Sequence, residues 1–278
     1  MDYFQTQNLL TEFTPEFRPD VTDKSILVAG LGGNGSHVAL AAQRMGFRDI
    51  VGVDCDVVTP GNLSRQLLYT PADIGRSKAA AARQCLEHNN LCSRIETHHL
   101  DILKNRARFG ELVAAADLVF IVLDQPATTF FAVDACFAYK KPAISGGTCV
   151  LSGTSTRVAW MDGVSSPCLN CATRIGSVRE AWAEYYRYNG QERLSNSPPE
   201  VEKIDRDISL AGGHPSIYPS ACIGSNLMLS VALNYFMGKR DMPRVLSFSV
   251  LNFVLEREAL KINECCVTCS RTRGRAAL

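Results

Sequence analysis

The sequence lacks any apolar run long enough to cross a bilayer; its strongest, Leu118-Val-Phe-Ile-Val-Leu123, has only the length of a strand. It also lacks an excess of charge of one sign, with 29 Lys+Arg against 28 Asp+Glu and a net charge of +1. That balance argues against a broadly basic nucleic-acid binder or a membrane-surface protein and leaves room only for a local basic pocket. Low-complexity tracts, heptads and solenoid periods are missing too. Met1 to Asn8 shows no basic segment leading into an apolar one, so no export signal is read there and a cytoplasmic chain is expected. In that setting 11 Cys point to thiols or metal ligands rather than disulfides. What remains is an ordinary globular composition of 278 residues, 46% hydrophobic and 21% charged, enough to bury a full core.

Residues 1–24 are polar and irregular, with Pro15 and Pro19, and read as an N-terminal arm. Ser25 to Gly30 is a buried strand ending in glycine, Ser36 to Met45 is helical, and Ile50 to Asp54 is a second strand. Arg76 to Asn89 and Thr128 to Tyr139 read as helices, whereas Arg94 to His99, Leu118 to Leu123 and Pro142 to Gly147 read as strands. This alternation predicts a Rossmann-like, doubly wound α/β fold with a mostly parallel sheet. After about residue 150 the grammar changes. Thr154 to Met161 reads as a strand, Glu180 to Asn189 as an aromatic-rich helix and Gln191 to Gly213 as a loop. Ser216 to Gly238 reads as a long apolar helix, and Leu246 to Leu260 as two strands or one bent one that extends the sheet. No clean linker separates the halves 25–150 and 151–278, so 25–278 is expected to be one domain.

Gly30-x-Gly32-Gly33-x-Gly35 between the first strand and helix is a nucleotide-loop candidate. Glycines let a backbone approach phosphate, and the helix N-terminus offers N–H groups and a positive dipole end. Asp54 ends the second strand, where a carboxylate can accept ribose hydroxyls. A tight turn without a ligand is the plain alternative. The extra Gly33 departs from the usual dinucleotide spacing and suits a phosphate lying closer to the loop.

Two Cys-x-x-Cys knuckles, Cys168–Cys171 and Cys266–Cys269, supply four thiolates, the complement of a closed tetrahedral Zn²⁺ site. Cys265 offers another register for the second pair, and a redox role is the rival reading.

Together the glycine loop, Asp54-x-Asp56, Asn62-x-x-Arg65-Gln66, Lys78 after a glycine, and Leu123-Asp124 resemble the E1-like family. That family contains the ubiquitin-activating enzymes and the adenylating enzymes of sulfur-carrier proteins. The resemblance runs from about residue 25 to 270. It implies ATP- and Mg²⁺-dependent activation of a carboxylate as an acyl-adenylate. Asp54 would hold the ribose, with Asp56 beside it. Arg65 and Lys78 would neutralise the polyphosphate, Asn62 and Gln66 would position its end, and Asp124 would hold Mg²⁺. The family's zinc would tie the C-terminus back to the sheet, making a structural zinc knuckle. Each residue has a plainer reading: Lys78 and Arg76 as solvated helix-start charges, Asn62 as a turn residue, Asp124 as a helix cap, Asp56 as structural.

Residues 172–221 contain no Cys, so the chain is expected to make an acyl-adenylate without a thioester of its own. Its short build resembles the branch that modifies ribosomal peptides, such as the enzymes of microcin C7 and pantocin A biosynthesis. The expected partners are a peptide or small-protein substrate and a second copy of the chain, with no nucleic acid and no membrane. Arg18 would be the candidate for a charge reaching into a partner's site, and 179–188 for a peptide-contacting helix. The competing expectations are a sulfur-carrier adenylyltransferase, an NAD-dependent oxidoreductase, and a catalytically silent scaffold.

Overall fold

The computed structural model describes residues 3–8, 10, 21–148, 153–172, 216–259, 266 and 268. Arg18, Cys265, Cys269, the stretch 179–188 and the loop 191–213 lie outside them.

The strands are β1 Ser25–Ala29, β2 Asp49–Asp54, β3 Arg94–His99, β4 Leu118–Ile121, β5 Ala143–Thr148, β6 Ser155–Met161, β7 Val245–Ser249 and β8 Val254–Glu258. The helices are α1 Gln5–Asn8, α2 Gly33–Met45, α3 Lys78–His88, α4 Arg106–Ala115, α5 Pro126–Ala138, α6 Leu169–Ala172 and α7 Tyr218–Phe236. One eight-stranded sheet runs in the order β3-β2-β1-β4-β5-β6-β7-β8. The pairs from β3 to β5 are parallel and those from β5 to β8 antiparallel. The doubly wound fold and its C-terminal sheet extension are therefore both present.

Strand alternation explains why helices cover both faces. Ile26 and Val28 of β1 face one apolar cluster with Val38 and Ala42 of α2, Ala81 and Leu86 of α3, and Met228 and Val231 of α7. Leu27 and Ala29 face the other, with Phe109 and Val113 of α4 and Val133 and Phe137 of α5. Every one of these side chains is buried.

Two details differ from the sequence expectation, and one of its open alternatives is decided. Helix α4 was not anticipated: Gly110 and the charges of Arg106, Arg108 and Glu111 hide a short stripe of Phe109, Leu112 and Val113, all buried. The fourth strand ends at Ile121 rather than Leu123, because the chain there turns against Gly30. Residues 245–258 form two strands, reversing at 250–253. Among the described residues no helix is long and apolar enough to cross a membrane.

Topology fixes where a ligand belongs. From β1 the chain proceeds to β2 and β3 on one side, then crosses to β4 and β5 on the other. The C-terminal ends of β1 and β4 thus flank the switch point, where open α/β sheets have their crevice. The glycine turn follows β1, Asp54 ends β2, and Asp124 follows β4.

Candidate functional site

The four glycines of the turn divide into two kinds. Gly30 has φ +97°, and a Cβ there would lie 2.6 Å from the Val122 carbonyl oxygen. A Cβ on Gly35 would overlap the Gly30 carbonyl oxygen. The chain's own packing demands both. Gly32 and Gly33 are different. A Cβ on Gly32 would meet only the Gln66 Nε2 at 3.8 Å, and one on Gly33 would make ordinary contacts of 3.7–3.8 Å with Ala221 and Arg65. Among the described residues none requires glycine at either position, and both lie at the N-terminus of α2, where the first backbone N–H groups have no helical acceptor.

Gln66 and Arg65 border these two glycines. Gln66 is 5% exposed, and its Oε1 is buried with no hydrogen-bond partner among the described residues. An orphaned buried amide costs about 1–3 kcal/mol unless something completes it. The stem of Arg65 lies against Gly33, and its Nη1 donates to the Gly61 carbonyl at 2.8 Å. Asn62 accepts from the Thr59 N–H at 3.0 Å in a capping box, so its plainer reading as a turn residue holds, and Nδ2 is the group it has left for a ligand.

Asp54 is buried, with its Oδ2 accepting from the Leu31 N–H at 2.7 Å and its Oδ1 from the Asp56 N–H at 2.8 Å. It therefore braces the glycine turn as well as ending β2. Burial raises its pKa above the ordinary carboxylate value, against the opposing charge of Lys78 and the two N–H donors. Lys78 is no solvated helix-start charge: its side chain is 8% exposed and its Nζ pairs with the Asp56 Oδ2 at 2.8 Å. Asp56, still largely solvated, thus holds the cation beside Asp54. Arg76 is the solvated one, paired with Asp73. Asp124 is exposed at the end of β4. It does not cap α5, whose cap position is Gln125. It follows β4, whose last residues pair with those of β1 just before the glycine turn.

The chain matches the ThiF family over residues 4–265. It belongs to that family. The adenylyltransferase and sulfurtransferase MOCS3 of Anopheles gambiae is 33% identical over 168 residues, 60% of this chain and 37% of that protein. The molybdopterin-synthase adenylyltransferase of Escherichia coli K12 is 30% identical over 172 residues, 62% of this chain and 68% of that one. The chain thus spans well under half of the MOCS3 proteins that it matches. Among solved structures, E. coli MccB with ATP aligns with TM-score 0.70 and 15% identity, over 97% of this chain and 74% of that one. MccB, the microcin C7 biosynthetic enzyme, in complex with N-formylated MccA aligns with TM-score 0.72 and 15% identity, over 96% and 75%.

This ThiF-family chain also gathers thiols at the opposite end of its second half. The sulfurs of Cys168, Cys171 and Cys266 lie within 4.8 Å of one another, with Cys168 at 3.9 Å from Cys171 and 3.4 Å from Cys266. Tetrahedral zinc with Zn–S bonds of ~2.3 Å places its sulfurs ~3.8 Å apart, so the donor set fits that ion. Cys269, the fourth expected ligand, lies outside the described residues. The loop before Cys168 is held by Asp162, whose Oδ1 accepts from the N–H groups of Val164, Ser165 and Ser166, each at 2.8 Å. Burial pushes the Asp162 carboxyl up, but these donors and the Ser165 hydroxyl outweigh it and bring the pKa to about 2.

Sequence reasoning passed over Ser36 and Tyr69, which staple the Leu67–Tyr69 segment to the turn. The Leu67 N–H donates to the Ser36 Oγ at 3.2 Å, and the Tyr69 hydroxyl donates to the Leu31 carbonyl at 2.8 Å. Their signal was faint: Ser36 is a small polar residue on the buried face of α2, and Tyr69 lies outside the regular elements.

Proposed function

We propose that this chain uses ATP to activate a carboxylate of a peptide or small protein as an acyl-adenylate. The observation that carries the reading is the Gly32–Gly33 turn at the sheet's switch point, where no described residue crowds either glycine and the Arg65 stem and the Gln66 Nε2 stand beside the N-terminus of α2. In this reading the ribose lies at Asp54, and Arg65 and Lys78 face the polyphosphate. Asn62 and Gln66 fix its outer end. The substrate carboxylate, already ionised, attacks the α-phosphorus in line, and the bond to pyrophosphate breaks. Arg65 and Lys78 stabilise the charge that develops on the leaving group, so positioning and electrostatics supply the acceleration with little acid–base chemistry. Asp124 would hold Mg²⁺, which adds charge neutralisation on the phosphates. Zinc would sit between Cys168, Cys171, Cys266 and Cys269 as a structural ion. No cysteine of the chain takes over the activated acyl group, in keeping with the Cys-free stretch 172–221. Residues 25–278 act as one unit, and a homodimer is the assembly that goes with this reading.

A peptide substrate is favoured by the likeness to MccB over nearly the whole chain, and MccB is named with MccA. Activation of a sulfur-carrier protein is the second reading, favoured by the identity to MOCS3 and the molybdopterin-synthase adenylyltransferase. Exchange of labelled pyrophosphate into ATP, run with short peptides and with sulfur-carrier proteins, separates them. Exchange stimulated by one class alone identifies it. Absence of exchange with either, together with tighter calorimetric binding of NAD than of ATP–Mg²⁺, overturns the proposal in favour of an oxidoreductase.

A further inference from the structure

Ser77 and His99 meet at the C-terminal end of β3, next to Lys78. Thr97 and His99 both turn toward α3: the Thr97 Oγ1 donates to the Ala79 carbonyl at 2.8 Å, and the Ser77 Oγ lies 3.0 Å from the His99 Nδ1. Ser77 is itself pinned to the stretch that follows Asp54. The Val58 N–H donates to the Arg76 carbonyl at 2.9 Å and the Lys78 N–H to the Asp56 carbonyl at 2.9 Å, on either side of an antiparallel bridge between Val57 and Ser77. The Ser77 Oγ accepts from the Ala80 N–H at 3.5 Å as the N-cap of α3, so its own proton is the one left for the His99 Nδ1. That assigns the N–H of the neutral ring to Nε2. His99 is exposed, and among the described residues only Ser77 hydrogen-bonds its ring.

Asp54, expected to hold the ribose, is the register partner of His99 across β2 and β3. Partners side by side in a parallel sheet project to the same face, so the imidazole stands beside the carboxylate on the side of α3. The Asp54 Oδ1 and Oδ2 each accept one backbone N–H, which leaves each oxygen able to accept a hydroxyl as well. A ribose hydroxyl that donates to Asp54 keeps lone pairs of its own, and the His99 Nε2–H is the donor next to it. We propose that His99, oriented by Ser77, is a specificity-determining residue: its Nε2–H donates to a ribose hydroxyl whose proton goes to Asp54, so that the two side chains together select a ribonucleotide over a deoxynucleotide. This inference rests on the nucleotide reading above, and its test keeps the two apart.

The full chain is titrated calorimetrically with the Mg²⁺ complexes of ATP, 2′-deoxy-ATP and 3′-deoxy-ATP. His99→Leu removes the ring N–H; His99→Gln returns a side-chain N–H in its place. Losing one hydrogen bond of ordinary strength weakens binding about five- to tenfold. Wild-type protein is expected to bind at least one of the deoxy analogues more weakly than ATP by that factor or more. His99→Leu should weaken ATP about five- to tenfold and change that analogue by no more than about twofold, because the hydroxyl and the ring act through one contact. The thermal midpoint should not move, since the side chain is exposed. His99→Gln should recover most of the preference for ATP. Wild-type protein that binds all three equally, or a His99→Leu loss that is absent or the same for all three, would overturn the ribose contact. Wild-type protein that binds none of them would instead sink the nucleotide reading.

Discussion

Two glycines of the turn are demanded by the chain's own packing, and two are not. Gly35 cannot carry a methyl group without overlapping the Gly30 carbonyl, whereas Gly33 can. Gly35→Ala is therefore expected to cost about 2 kcal/mol or more in urea unfolding, the range of overpacked or strained sites. Gly33→Ala should leave stability within about 1 kcal/mol of wild type, since alanine suits a helix better than glycine does. The same substitution should abolish calorimetric ATP binding, because its methyl group would stand in the phosphate space. A Gly33→Ala protein that binds ATP normally would show that the space is not used. The motif was legible in the sequence, but the division of labour within it was not, since it depends on where the Val122 carbonyl and the Arg65 stem lie in space. Lys78 teaches the same lesson. Its likeness to a solvated helix-start charge disappears only when Asp56, remote in sequence, closes on it.

At the scale of elements, the alternation of strands and helices was readable because apolar periodicity is a local property. Helix α4 was lost where a glycine and three charges interrupted the stripe, and the stop of β4 was set by contact with Gly30 rather than by composition. The loop between β6 and α6 shows how local chemistry prepares a site. Asp162 gathers three successive N–H groups and so aims the chain toward Cys168. Its folded pKa of about 2 lies below the ~3.9 of an unfolded Asp. A depressed carboxyl stabilises the fold above the unfolded value and loses that contribution as pH falls toward the folded one. Asp162→Asn is thus expected to cost about 1–2 kcal/mol at pH 6, discounted for partial exposure, with the difference from wild type shrinking between pH 4 and pH 2. Denaturation curves at several pH values read this directly. A gap that stays constant down to pH 2 would show that the charge is not what stabilises the loop.

At the scale of the molecule, the thiols connect regions far apart in sequence. Cys266 reaches Cys168 and joins the second core cluster, and Thr268 donates to Asp134 of α5 at 2.6 Å. If zinc sits there, elemental analysis should return about one ion per chain, and Cys168→Ser should lower both the metal content and the thermal midpoint. Full stability after exhaustive chelation, with no metal detected, would refute a structural zinc.

The sequence by itself determined the strand–helix grammar, the glycine turn, the two Cys pairs and the kinship they imply. Those features are written in periodicity and spacing along a single chain. Only the tertiary structure decided that Lys78 is a buried partner of Asp56, that the Gln66 Oε1 is buried without a partner among the described residues, that three thiols from two distant knuckles meet, and that Ser36 and Tyr69 pin the 67–69 segment to the turn. Each of these depends on burial and on contacts between residues distant along the chain, and both come into being only when the sheet is assembled and its helices close over it.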